Sequence, residues 1–345
     1  MTEMNAGNEI RPFVENLVCG VPQAHLNLLV VPLSGEPAGG IEYVLAADAI
    51  AEGKLSISEV SESGSVPELL VASSSDLPVL LVDGEELVGA KQNRILNTTI
   101  LVKAHSQTKI PVSCVEQGRW HRTSSQFSSG GFSPSELRGR KSRSVSRHLR
   151  ATGEARSDQG EVWDFVQMKL HQMDAASPTM SMHDGIEQRR TTIQDYVNAM
   201  VYPAGARGVI ASIDGRFAAM DLFDRPETLA RLWQRLMSGY ALDAIGRPGA
   251  EPGAKAESSG GDEGDGAAKL LSHVAGITCA AFKSPGLGHD WRFESAEAVG
   301  QALVVDDGAV HLSAFPNSPD DAGFRASHIA RPSQRRRHRR DNEGQ

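Results

Sequence analysis

The residues best equipped for chemistry lie in a stretch whose flanks are apolar. Gly84-Glu85-Glu86-Leu87-Val88-Gly89-Ala90-Lys91-Gln92-Asn93-Arg94 is followed by Asn97-Thr98-Thr99 and then by Ser113-Cys114-Val115-Glu116-Gln117-Gly118-Arg119-Trp120. Arginine grips phosphate or carboxylate through a planar fork, amides read donor and acceptor patterns, and tryptophan stacks on a ring. Arg94 and Arg119 are therefore expected to bind an anion, Gln92, Asn93 and Asn97 to orient it, and Trp120 to stack on it. Glu116 is the candidate base, joined by Glu85 or Glu86. Period two along 110–116 sets Glu116 beside Ile110, Val112 and Cys114, a face on which a carboxylate must be paired or protonated, with Arg94 or Arg119 as its partner. The same residues would also serve as a polar network at a sheet edge with no ligand at all.

Other chemistries find less support. Cys114 inside a β-branched run reads as a small buried apolar residue rather than a nucleophile served by His105 or His121, and His311 reads as packing. The sequence has no Cys-x-x-Cys, no His-Glu-x-x-His and no Asp-rich calcium loop, so no metal ligand set is assigned. Glu85, Glu86 or Glu116 could still hold Mg²⁺ together with waters and a substrate phosphate. Gly-x-Gly-x-x-Gly, a Walker loop and Gly-x-Ser-x-Gly are also missing, which argues against dinucleotide-binding, P-loop and α/β-hydrolase mechanisms in their usual forms.

The elements that must position the cluster are mostly strands. Apolar runs at 26–33, 69–72, 79–82, 95–102 and 110–115 are bounded by Gly, Pro and Ser, with one helix over 42–51. Asp83-Gly84, Asp214-Gly215 and Asp307-Gly308 predict two-residue hairpins. At the first, pairing of Leu81 with Glu86 and Val82 with Glu85 would send the two carboxylates to opposite faces. Ser133-Pro134-Ser135-Glu136 and Asp158-Gln159-Gly160-Glu161 predict helix starts, another helix runs over 184–200, and Asp224-Arg225-Pro226-Glu227 opens an amphipathic helix. A short helix over 267–274 and a hairpin of 302–305 with 309–314 close the fold. The expected class is α+β, mainly antiparallel sheets with Asp-Gly hairpins and several packed amphipathic helices.

The 345 residues carry 40% hydrophobic and 23% charged residues, values of a globular chain, with no run long enough to cross a bilayer. Residues 1–12 are expected to be disordered. Residues 13–248 and 267–317 form one α+β domain, with 13–122 strand-rich and 133–317 mixed as possible subdomains. The acidic Gly-rich stretch 249–266 reads as a disordered insert and 318–345 as a disordered Arg-rich tail. Three distant cysteines and no signal pattern in 1–12 point to a reducing cytoplasm. Net charge is −8, and −14 without the six arginines of 331–340. Nucleic acid is thus expected only weakly, through that tail. Arg138, Arg140, Lys141, Arg143, Arg147 and Arg150 read as a solvated helix face, with Arg138 the best exception.

Taken together, Gly84-Glu85, Gly89 to Arg94, Ser113 to Trp120, Asp158-Gln159 with Val162-Trp163, and Asp221-Leu222-Phe223 resemble the ARG-and-rhodanese-phosphatase-superfamily-associated protein domain family, the first of two so named. The likeness spans residues 17–315, apart from the 249–266 insert. It implies a prokaryotic cytoplasmic α+β domain handling a nucleotide or ADP-ribose derivative in defence or stress, and supplies no established catalytic residue. The expected activity is binding, with or without hydrolysis, of a phosphorylated, nucleotide-like small molecule. A sensor or interaction module without turnover is the alternative.

Overall fold

The computed structural model describes residues 4–7, 10–37, 40–61, 67–119, 121–247, 263–306 and 308–317. The chain opens with β1 (Met4–Gly7), the single turn α1 (Arg11–Val14), β2 (Val18–Cys19), β3 (Gln23–His25), β4 (Leu28–Ser34), β5 (Val44–Leu45) and α2 (Ala46–Ala51). A strand-rich stretch follows: β6 (Leu55–Glu59), β7 (Glu68–Ser73), β8 (Val79–Leu81), β9 (Glu85–Gly89), β10 (Arg94–Leu96), β11 (Ile100–Val102), β12 (Gln107–Cys114) and β13 (Phe127–Phe132). Then come the helices α3 (Ser135–Thr152), α4 (Gln159–Gln172), α5 (Met182–Gln188) and α6 (Arg190–Ala199). The hairpin β14 (Ala206–Ile213) and β15 (Arg216–Phe223) leads to α7 (Pro226–Ala244) and α8 (Glu263–Gly276). Last are β16 (Cys279–Lys283), β17 (His289–Glu294), β18 (Ala298–Val305) and β19 (Gly308–Pro316). This is an α+β fold.

A large antiparallel sheet runs β1-β16-β17-β18-β19-β15-β14-β4-β2, with β3 also on β4. Alternation divides its side chains. Met220, Leu222, Leu312 and Ala314 face α1 and α8, where Phe13, Val14, Leu271 and Val274 pack. Phe223, Val299, Leu303 and Phe315 face the opposite way, toward Leu137 of α3, Phe165 of α4 and Leu236 and Tyr240 of α7. A second sheet, β13-β9-β10-β12-β7-β6, curls until its end strands approach each other, and a small third one is β11-β8-β5. These two enclose Ile57, Val71, Leu81, Leu96, Ile110 and Val112 under α2.

Local signals held where the chain alone decides geometry. Asp214 and Gly215, at φ 51° and 72°, form the expected type I′ turn between β14 and β15. Asp158 caps α4 through Gly160 and Glu161 N–H. Elsewhere tertiary partners intervene. Val82 and Glu85 close a turn around Asp83-Gly84, but β8 joins the small sheet and β9 the curled one, so Leu81 pairs with Ile100 and Glu86 with Ile95 rather than with each other. Gly308 pairs with Val305 inside the last hairpin, which moves that turn back by one residue; Asp307 lies outside the described residues. The start of α3 is capped by Asp243 of α7, which accepts from Ser135 and the Glu136 amide, while the Ser133 hydroxyl has no hydrogen-bond partner among the described residues. The helix expected over 184–200 is two, broken at Arg189, whose side chain turns back onto the Met173 and Asp174 carbonyls. At the N-terminus, Met4–Gly7 pairs with β16 and Ile10 is buried, so this end adds an edge strand and a core residue. Trp120, residues 249–262 and the tail from 318 onward lie outside the described residues.

Candidate functional site

Gly89 and Ala90, at φ 128° and 42°, turn the chain from β9 toward β10, and Glu116 and Arg119 follow the end of β12 beside them. Arg119 donates Nε to Glu116 Oε1 at 2.9 Å and Nη2 to Oε2 at 2.7 Å. Its remaining donors go to the Ala90 and Gly89 carbonyls, Thr123 Oγ1 and Asn93 Oδ1. Glu116 also accepts from the Asn93 amide and Thr179 Oγ1. Burial pushes this carboxyl up, yet Arg119, the Asn93 amide and Thr179 together hold it below the usual carboxylate range. The anion that Arg119 was expected to grip is, in this structure, the chain's own Glu116.

The other expected residues spread around this knot. Arg94, fully buried between β9 and β12, donates to Gln92 Oε1 at 2.9 Å and lies 3.9 Å from Glu59, while its Nε and Nη2 have no hydrogen-bond partner among the described residues. Gln92 donates weakly to the Gln117 carbonyl. Asn97 is elsewhere, bonded to Ser113 and to the Ala155 carbonyl. Glu85 pairs with Arg235 of α7 at 2.7 Å and Glu86 with His183 of α5 at 3.1 Å. Each carboxylate offered for Mg²⁺ thus faces a basic side chain of the protein. Among the described residues, no group of three or more metal-ligating side chains converges. Burial pushes the Cys114 thiol up to about 11, and Gln159 clamps the Cys114 backbone with one bond to its N–H and one from its amide to its carbonyl.

A denser network joins the sheets. Arg138 forks onto Asp221 and donates Nε to Asp83 at 3.2 Å; Lys141 donates to the other Asp83 oxygen at 2.8 Å. Asp221 also accepts from Tyr240 and pairs with His311 Nε2 at 3.1 Å, and His311 Nδ1 meets Thr99 Oγ1 at 2.8 Å. Burial raises the Asp221 carboxyl, but Arg138 and His311 hold it far below the usual range. Arg138 and Lys141, both 1% exposed, depart from the solvated face expected of α3, as a clasp rather than a rim. His311 is a hydrogen-bonded junction as well as packing. Thr99, His311 and Asp221 line up like a nucleophile, base and orienting acid, yet all three are at most 1% exposed.

An open cleft of about 600 Å³ lies between α2 and the start of α7. Asp224, just past β15, accepts from Tyr43 at 2.5 Å on Oδ1 and from Arg225 Nε on Oδ2, and Tyr43 shares a 2.6 Å bond with Thr228. Arg225 lies over the Tyr43 ring and pairs with Glu42 at 3.5 Å. Burial raises the Asp224 carboxyl more than its bonds to Tyr43 and Arg225 lower it, and burial beside Asp224 raises the Tyr43 phenol. Arg231 pairs with Asp48, and the first turn of α7, where the Glu227 and Thr228 N–H groups are beyond reach of any intrahelical carbonyl, contributes Glu227 and Thr228 to the lining. The sequence showed Asp224-Arg225-Pro226-Glu227 only as a helix start. Asp224 does not cap α7, whose N-cap residue Arg225 makes no side-chain cap bond, and its actual partner Tyr43, 181 residues distant, carried no signal.

Comparison with known proteins gives one family. The model of the ARG and Rhodanese-Phosphatase-superfamily-associated Protein domain matches residues 16–315. No curated protein and no solved structure matches the chain.

Proposed function

The chain belongs to the ARG and Rhodanese-Phosphatase-superfamily-associated Protein domain family, and we propose that it binds a phosphorylated, nucleotide-like small molecule in the cleft at the start of α7. The carrying observation is that groups of both signs converge in a cavity of about 600 Å³, within the size of small-molecule sites. Carboxylates at the rim, Glu42, Asp48, Glu52 and Glu227, suit the hydroxyls of a sugar. Arg225, Arg231 and the first amides of α7 suit its phosphate. A ligand carrying only negative charge would meet an acidic rim, and one carrying only hydroxyls would draw nothing from Arg225 and Arg231, which then hold Asp224, Glu42 and Asp48.

Asp224 is the group in the cleft able to move a proton. It is buried, bonded to Tyr43 and raised in pKa, which favours exchange nearer neutral pH than an ordinary carboxyl allows. In this reading Glu116, Asn93 and Arg119 set the shape of the curled sheet, together with Gln92, Arg94, Asn97 and Glu85.

Calorimetric titration with ADP-ribose, AMP, ribose 5-phosphate and inorganic phosphate tests the proposal. At least one sugar phosphate should bind, inorganic phosphate should bind much more weakly, and Arg225→Ala should weaken the sugar phosphate about tenfold or more. Asp224→Asn should retain binding. Loss of turnover in that variant marks an enzyme, whereas a ligand recovered unchanged from the wild type marks a sensor. Affinity unchanged in Arg225→Ala refutes the site.

A further inference from the structure

The segment 174–189 crosses the end of the curled sheet and covers the Glu116 knot. Thr179 donates to Glu116 Oε1 at 2.9 Å, its carbonyl accepts from the Gly118 N–H at 2.8 Å, and the Met182 N–H donates to the Val115 carbonyl at 2.9 Å. The segment is also tied back to α4 and the residue after it by the Ala175 N–H to the Leu170 carbonyl and by Arg189 to the Met173 carbonyl, and among the described residues one side-chain pair fastening it can change charge near neutral pH, His183 on α5 and Glu86 on β9, at 3.1 Å. Glu86 is buried, and its second oxygen has no hydrogen-bond partner among the described residues. Gly130 opposite has no side chain to give: a Cβ there would lie 2.7 Å from Glu86 Oε2. His183 is the half-buried partner, 31% exposed, and so reaches both Glu86 and solvent.

We propose that His183 and Glu86 form a pH-operated latch that holds residues 174–189 over the Glu116–Arg119 network. The charged groups facing His183 are Glu86 from β9 and Asp184 and Glu187 from its own helix, all acidic. The nearby Glu116 is already matched by Arg119 and Glu85 by Arg235. The hydrogen bond to Glu86 raises the His183 pKa above its ordinary 6.5, against the lowering effect of burial. A group raised in the docked state stabilises docking fully below its ordinary pKa, and that contribution is lost as pH rises through the raised value. Above it, a neutral imidazole leaves the buried Glu86 carboxylate without a counter-charge, and the segment lifts more often. Thr179 then releases Glu116, freeing an acceptor on that carboxylate. Each unit by which the docked pKa exceeds 6.5 corresponds to about tenfold in the docking equilibrium.

Hydrogen exchange of the full chain, read by mass spectrometry on peptides from 174–189 and corrected for the intrinsic pH effect, tests the latch. In the wild type, protection should be high at about pH 6 and fall several-fold above the raised pKa. His183→Gln keeps a polar side chain without a titrating charge, and it should show low protection at every pH. Protection that is independent of pH in the wild type, or equally pH-dependent in His183→Gln, overturns the proposal. A second reading needs no variant: the His183 ring, followed by NMR, should titrate above 6.5, and a midpoint at or below 6.5 overturns the latch as well.

Discussion

Asp221 accepts from Arg138, Tyr240 and His311 with no exposure to water, so its worth depends on every partner being present. Removing one member of a buried ion pair leaves the other charge uncompensated, at about 3–5 kcal/mol. Arg138→Met should therefore lower unfolding stability by about that amount in urea denaturation. The pH dependence has a definite sign. Asp221 is depressed in the folded state, so its contribution is present above the ordinary carboxylate value of 3.8 and is lost as pH falls below it toward the lower folded value. Asp221→Asn should be less stable than wild type at neutral pH and should lack this part of the acid-induced loss. Glu116→Gln should likewise cost about 1–3 kcal/mol, because the amide cannot accept all four bonds that the carboxylate does. Sequence marked Glu116 as a carboxylate needing Arg94 or Arg119, and the structure pairs it with Arg119, three residues on. It could not choose between the two arginines or add the Asn93 amide, 23 residues back, since that depends on the turn at Gly89-Ala90. Nor could it join Asp221 to Arg138 and His311, which lie 83 and 90 residues away.

At the scale of elements, two Asp-Gly pairs with the same sequence signal have different surroundings and predict different costs. Gly215 has φ 72° with open space where a side chain would begin, so Gly215→Ala should cost about 1 kcal/mol from backbone strain alone. Gly84 has φ 81°, and a Cβ there would sit 2.6–2.8 Å from Arg138 side-chain atoms pinned by Asp83 and Asp221. Gly84→Ala should destabilise markedly more in the same assay, and equal costs would deny the clasp its rigidity. This pair also marks the limit of local reading. Asp214-Gly215 was legible because its strands are neighbours in both chain and sheet. Asp83-Gly84 was half legible: the turn forms, but its flanking strands go to different sheets because β10 and β11 offer each a partner. The cap at Asp158 could be read from three residues, while the cap of α3 comes from Asp243, 107 residues away.

Across the whole molecule, the antiparallel sheets and packed helices were legible because apolar periodicity and turn chemistry are local. The cleft was not, because it forms where α2, Tyr43 and the first turn of α7 meet. Its charges nonetheless make the acidic body intelligible: Glu42 and Asp48 are matched by Arg225 and Arg231, and Glu52 by Lys54 just outside. Surface pairs of this kind contribute little to stability, so Arg231→Ala should leave the unfolding midpoint almost unchanged while weakening a phosphorylated ligand. Among the described residues, no helix is long and apolar enough to cross a membrane. Where the ligand sits is decided by a crystal structure grown with ADP-ribose or the best-binding sugar phosphate. Binding in the cleft requires density there, with phosphate oxygens within hydrogen-bond distance of Arg225 or the first amides of α7 and sugar hydroxyls near the rim carboxylates. Density at Glu116 and Arg119 instead, with the cleft empty, would contradict it.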